Sequence, residues 1–206
     1  MSRGNAVRVI AGMDRESELA LVERLRAGDA AAFDEVHAAF NTRLLTFLVR
    51  LSRRRDVAED LLEDTWLRFV RKADSLDPGT TLAAWLFTVA RNRYFSYCRS
   101  RALDESHAAD LLALWPSPAP LASPFEQTAA SQSERRIEAA LADLPAAYRE
   151  VLLLVGIEGL TPAEAARVCG VSAETLRQRL HRARTLLARR LDQHGGVNIA
   201  LREAMT

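Results

Sequence analysis

Residues 161–191 read TPAEAARVCGVSAETLRQRLHRARTLLARRL, and a few of them divide this stretch into two helices. Thr161 offers an N-cap hydroxyl, Pro162 suits the first helical position, and Glu164 stands where its carboxylate can reach back to the cap amide. The helix so started is short, Pro162 to about Val168, because Gly170 follows where a left-handed residue would turn the chain. Ser172 then supplies a second N-cap. Two helices joined by a glycine-containing turn of about four residues have the helix-turn-helix spacing used to read duplex DNA.

On a helical wheel the second helix separates cleanly. Leu176, Leu180, Ala183, Leu187 and Leu191 fall on one side and require a core, while Glu174, Thr175, Gln178, His181, Arg182, Thr185 and Arg189 lie opposite. Between Arg177 and Arg190 there are six Arg and no acid, so the outer face is cationic. Residues near the start of such a helix point at base edges, where Arg can fork onto guanine and Gln onto adenine. Later Arg residues reach phosphates and set the register. An Arg run alone would be an ordinary solvated face; two capped helices at this spacing make DNA the better reading. His181 has no second ligand near it and does not suggest a metal.

Outward from this segment the chain stays helical in pattern, rich in Ala, Leu, Arg and Glu, and no strand-like alternation is present. Leu62, Trp66, Phe69 and Val70 form an amphipathic stripe whose opposite face carries Asp60, Glu63, Asp64 and Arg68. After a turn at Asp77-Pro78-Gly79, Leu82, Trp85, Leu86 and Val89 begin a helix that runs into Arg91, Asn92, Arg93 and Tyr94. From Arg91 to Arg101, four Arg interleave with Tyr94, Phe95 and Tyr97 without an acid, which suits unpaired nucleic acid: rings stack on bases and guanidinium groups follow phosphates. The plainer alternative, in which the rings finish the core and the Arg residues are solvated, stays open on this segment alone.

Charge divides the chain in three. The 206 residues hold 28 Lys+Arg and 27 Asp+Glu, a net charge of +1 that argues against a nucleic-acid partner until it is resolved along the sequence. Residues 1–102 carry +3, residues 103–134 carry −5 with no Lys or Arg, and residues 135–206 carry +3. The middle block holds Pro116, Pro118, Pro120 and Pro124, and reads as an acidic linker of about 30 residues, too long for a connection inside one compact domain. The expected architecture is all-α: two small helical domains, 1–102 and 135–206, joined by an extended Pro-rich linker, 103–134. Residues 192–206 match no recognisable element. No apolar run approaches a bilayer span and no secretory signal is visible, so a cytoplasmic location without membrane insertion is expected. Cys98 and Cys169 stand alone and read as packing residues rather than a disulfide or metal pair. No phosphate loop, nucleophile elbow or His/carboxylate spacing supports an enzyme, a cofactor or a small-molecule substrate.

Taken together, these segments resemble the extracytoplasmic-function sigma factors, small initiation factors of bacterial RNA polymerase. LVERLRAGDAAAFDEV, DVAEDLLEDTWLRFV and WLFTVARNRYFSYCRSR are similar to the family's second region; LADLPAAYREVLLL and EGLTPAEAARVCGVSAETLRQRLHRAR are similar to its fourth. The resemblance implies a factor that binds core RNA polymerase and directs promoter recognition, melting and initiation, with an anti-sigma factor as a further partner. It assigns Asp60, Glu63 and Asp64 to polymerase docking, and Arg91, Asn92, Arg93 and Tyr94 to the melted minus-ten element. Glu174, Thr175, Arg177, Gln178, His181 and Arg182 fall to the minus-thirty-five element, and the linker to the polymerase's RNA channel. Glu174 stands where the family often has glycine, and Gln178 and His181 are not its commonest residues, which bears on the promoter sequence rather than the fold. The competing reading is a polymerase-independent helix-turn-helix repressor or activator with a helical sensor or dimerisation domain.

Overall fold

Local capping explains where the helices begin and end. In the computed structural model, which describes residues 15–104 and 132–193, helix α1 (Arg15–Arg26) is followed by Asp29, whose carboxylate accepts from the Ala31 amide at 2.9 Å and starts α2 (Ala30–Ser52). Helix α2 stops on Arg53 in the left-handed region, φ 59°, with its amide donating to the Val49 carbonyl. Helix α3 (Arg55–Lys72) ends in a short 3₁₀ turn, Ala73–Ser75. Helix α4 (Leu82–Asp104) is capped from a distance: Glu18 of α1 accepts from the Leu82 amide at 2.8 Å, placing an acid at the positive end of the helix.

These four helices bury the apolar positions expected of them. Phe40, Leu44, Phe47 and Leu48 of α2 meet Phe69 of α3 and Leu86 and Phe87 of α4, all essentially fully buried. Phe47 and Phe87 cross edge to face with ring centres 5.2 Å apart. Trp66 satisfies its indole N–H by donating to Asn41 Oδ1 at 2.9 Å. The stripe predicted on α3 is narrower than its sequence suggests. Val70 is 56% exposed, because Trp66 and Phe69 already fill the seam.

The second half consists of α5 (Gln132–Ala142), α6 (Ala146–Leu152), a wide π turn (Leu153–Ile157), α7 (Pro162–Cys169) and α8 (Ala173–Gln193). Among the described residues there is no strand, and the fold class is the all-α one expected. Leu176, Leu180 and Ala183 of α8 are buried as the wheel requires. The block 105–131, which carries most of the expected linker, lies outside the described residues, as does the tail 194–206; α4 reaches Asp104 and α5 begins at Gln132.

The two halves are packed on one another. Helix α4 lies against α7, α2 meets α6, and the buried apolar residues of both halves form one connected cluster. Arg149 of α6 crosses this seam. Its guanidinium donates to the Leu141, Ala142 and Leu144 carbonyls at the end of α5, and to the Arg50 and Leu51 carbonyls at the end of α2. One cation thus closes the negative ends of two helices. Burial, with the nearby Arg53 charge, lowers its pKa to about 10, which leaves it charged at neutral pH.

Candidate nucleic-acid interface

The helix-turn-helix is assembled by the signals read from its sequence. Thr161 and Glu164 form a reciprocal capping box: the Thr161 amide donates to Glu164 Oε2 at 2.8 Å and the Glu164 amide to Thr161 Oγ1 at 3.2 Å. Gly170 takes φ 64°, which a residue with a Cβ adopts only with strain, and the Thr175 amide donates to Ser172 Oγ at 3.1 Å. Helix α8 therefore leaves the turn with a fixed orientation. Glu174, Thr175, Arg177, Gln178, His181 and Arg182 are all exposed on it.

Two of these side chains are held by a third. Glu174 accepts from Arg177 Nη1 at 2.9 Å through one carboxylate oxygen and from Gln178 Nε2 at 3.1 Å through the other. The acid thus orients the two donors nearest the start of the helix. Further along, an open groove of about 490 Å³ is lined by Arg177, His181, Arg184, Thr185 and Arg189, with Asp192 at its far end, so that arginines outnumber acids along it.

The N-terminal candidates are less free. Asn92 is exposed, but the Arg93 guanidinium pairs with Asp64 across α3 and α4, and Arg91 pairs with Glu150 of α6 while its guanidinium carbon stacks 4.5 Å from the centre of the Phe95 ring. Tyr94 is only 2% exposed; burial beside Cys98 raises its hydroxyl pKa, and Arg149 and Glu150 of the second half lie within electrostatic reach of it. Of the acidic candidates, Asp60 and Glu63 are exposed and Asp64 is the partner of Arg93. Leu67, one turn beyond Glu63 on the same face, is 46% exposed, an apolar contact that the charge pattern did not reveal.

Arg149, Glu150, Glu158, Arg43 and Arg50 were not singled out from the sequence. Glu150 is 1% exposed and accepts from Arg91 and from the Cys169 thiol, 3.1 Å away, through the same oxygen. Burial and the adjoining carboxylate push the Cys169 thiol pKa up, and burial likewise raises that of Cys98, so neither is a ready thiolate. The available signal was Arg149-Glu150 standing directly before the apolar run Val151–Val155, in register with a core face. Among the described residues no group of three or more side chains could hold a metal ion, and no helix is long and apolar enough to cross a membrane.

Comparison with known proteins gives the family of each half. The family description "Sigma-70 region 2" matches residues 37–103 and "Sigma-70, region 4" matches residues 134–187. The chain is 38% identical over 155 residues to the ECF RNA polymerase sigma factor EcfG of Rhodopseudomonas palustris, covering 75% of this chain and 82% of that one. Its fold is similar to CnrH of Cupriavidus metallidurans, solved in complex with the cytosolic domain of CnrY, at TM-score 0.61 and 25% identity, over 86% of this chain and 98% of that one. It is also similar to the sigma factor RpoE of Bartonella quintana, solved with the anti-sigma factor NepR, at TM-score 0.56 and 30% identity, over 86% and 95% of the two chains.

Proposed function

The chain belongs to the extracytoplasmic-function sigma factors of RNA polymerase, and from this we infer that it binds core polymerase and directs promoter recognition, melting and initiation at a specialised set of genes. One observation carries the reading: a region 2 match and a region 4 match in order on one chain, the second ending in a capped helix-turn-helix with an outward cationic face. Sigma factors are non-catalytic, and this one acts by binding in the cytoplasm, with an anti-sigma protein as a further partner. Solved relatives in complex with anti-sigma partners support that last assignment.

The residue roles are those that membership of the family implies, supported by exposure at Asp60, Glu63 and along α8. Asp60 and Glu63, joined by Leu67, dock on polymerase, with Asp64 bracing Arg93 at the edge of the same surface. Arg91, Asn92, Arg93 and Tyr94 meet the melted strand of the minus-ten element. Capture of an unstacked base costs about a few kcal/mol, which ring stacking and guanidinium contacts must offset. Arg177 and Gln178, oriented by Glu174, read base edges of the minus-thirty-five element, with Thr175, His181 and Arg182 alongside the backbone.

Run-off transcription with core polymerase over a genomic promoter library tests the reading. Transcripts appearing only when the protein is added, from promoters sharing two spaced elements, are the expected result. Tight binding of the protein alone to a palindromic duplex, with no transcription supported, would establish the repressor or activator reading instead.

A further inference from the structure

The first amide of helix α4 is served from outside the helix. Thr81 stands at the N-cap, where its carbonyl accepts from the Trp85 amide at 2.9 Å, yet the acceptor for the Leu82 amide comes from 64 residues away. Glu18 Oε1 of α1 takes that bond at 2.8 Å. Leu82 is 1% exposed, so the helix starts inside the core, where an amide without a partner would cost free energy. Helix α1 also holds the far side of the loop that leads into α4. The 3₁₀ turn Ala73–Ser75 packs against it, and Leu76 is buried directly afterwards. Between these anchors residues 76–81 are braced internally: the Gly79 amide donates to Asp77 Oδ1 at 2.7 Å and the Thr80 amide to the Asp77 carbonyl at 2.9 Å. Asp77, Pro78 and Gly79 form an exposed tip.

We propose that Glu18 is a positioning residue for strand capture: it fixes where α4 begins, and with it the loop 76–81 and the setting of the side chains that α4 presents to the melted strand. The proposal rests on the minus-ten assignment made above. Asn92, exposed on α4, lies ten residues beyond Leu82. That is about 15 Å along the helix, so a tilt of about 5° at one end displaces the other by about 1 Å, enough to spoil a hydrogen bond to a base.

The core holds this helix without fixing its angle as closely. Leu86, Phe87 and Ala90 bury α4 against α2 and α3, but apolar contact is non-directional. A carboxylate on an N-terminal amide has both a direction and a charge matched to the positive end of the helix. A side chain at position 81 could stabilise the same helix end locally. Supplying the acceptor from α1 instead ties the strand-capture helix to a separate element, which is what positioning requires.

The test uses the full-length protein reconstituted with core polymerase: wild type, Glu18→Ala, Glu18→Gln, and the double variant E18A/T81D, which exchanges the distant acceptor for a local cap. Anisotropy gives the affinity for a fork-junction probe carrying the minus-ten strand of a promoter recovered from the run-off library, and for the same probe with that strand scrambled. The ratio of the two reports strand capture; polymerase affinity and thermal unfolding are followed beside it. Glu18→Ala should lower the ratio about fivefold with polymerase affinity unchanged, and Glu18→Gln, which keeps an acceptor oxygen in place, should stay within about twofold of wild type. E18A/T81D should regain thermal stability while its ratio stays low. An unchanged ratio in Glu18→Ala overturns the proposal. So does a double variant that recovers both stability and ratio, because Glu18 would then be a cap and nothing more. Should Glu18→Ala fail to bind polymerase, the double variant carries the test by itself: a low ratio supports positioning and a wild-type ratio overturns it. A wild-type protein with a ratio near one would instead sink the minus-ten assignment, and the positioning role with it.

Discussion

Glu174 shows how a single acid on a cationic helix can serve recognition. An exposed ion pair contributes little to stability, since solvent screens it and side-chain entropy opposes it. Its effect here is to fix the directions of Arg177 and Gln178 before DNA arrives, and to add one repulsive charge near the phosphates. Glu174→Ala should therefore raise affinity for random duplex while lowering the ratio of specific to non-specific binding several-fold, read by fluorescence anisotropy against a promoter recovered from the run-off library. A parallel loss of both affinities would contradict the orienting role. Thr161 acts on stability instead: Thr161→Ala removes the hydroxyl that accepts the Glu164 amide and should cost about 1 kcal/mol in urea unfolding. Both residues are legible in sequence because their partners lie three or four positions away. Arg149 and Glu150 are not, since a charged pair in an amphipathic helix looks solvated until the ends of α5 and α2 supply five carbonyls to the one and α4 an arginine to the other.

At the scale of elements, local punctuation decides what a sequence shows. Helices α7 and α8 begin and turn where Thr161, Gly170 and Ser172 require, because each cap is satisfied within one turn. Helix α3 was legible as amphipathic, yet the width of its buried face was set by Trp66 and Phe69 packing against α2 and α4, and this left Val70 and Leu67 outside. What remains on the outer face is Asp60 and Glu63 next to Leu67, acids around an apolar anchor. Polar rims around an apolar contact are the usual composition of protein docking surfaces. Asp60→Lys and Leu67→Ser should each weaken binding to core polymerase by about tenfold, about 1.4 kcal/mol, with unchanged circular dichroism because both side chains are exposed. Polymerase affinity unaffected by either change would move the docking surface elsewhere. For α4 the alternative left open by its sequence resolves both ways: Tyr94 completes the core, Asn92 is exposed, and Arg91 and Arg93 are neither solvated nor free but bound to acids.

For the whole molecule, the division of charge into +3, −5 and +3 becomes a statement about which surfaces DNA can reach. Arg91 and Arg93 are neutralised by Glu150 and Asp64, whereas Arg182, Arg189 and Arg190 of α8 are exposed, as are Arg99 and Arg101 near the end of α4. Free protein should accordingly contact duplex DNA mainly through α8. With about four phosphate contacts, the logarithm of its binding constant should fall with the logarithm of salt at a slope of about −3 to −4, and Arg182→Ala should reduce that slope by about one. Addition of core polymerase should bring the strand-capture residues onto the promoter and steepen the slope beyond the free-protein value. The measurement is anisotropy of one labelled promoter duplex across a salt series, with and without polymerase. A free-protein slope equal to that of the complex would mean that both cationic surfaces are already available in the unbound chain. The ion pairs at Arg91 and Arg93 would then have no bearing on promoter access. A slope that is shallow alone and steep in the complex would show why a nearly neutral chain can be a promoter-binding protein: its cationic charge is released by its partner rather than displayed in advance.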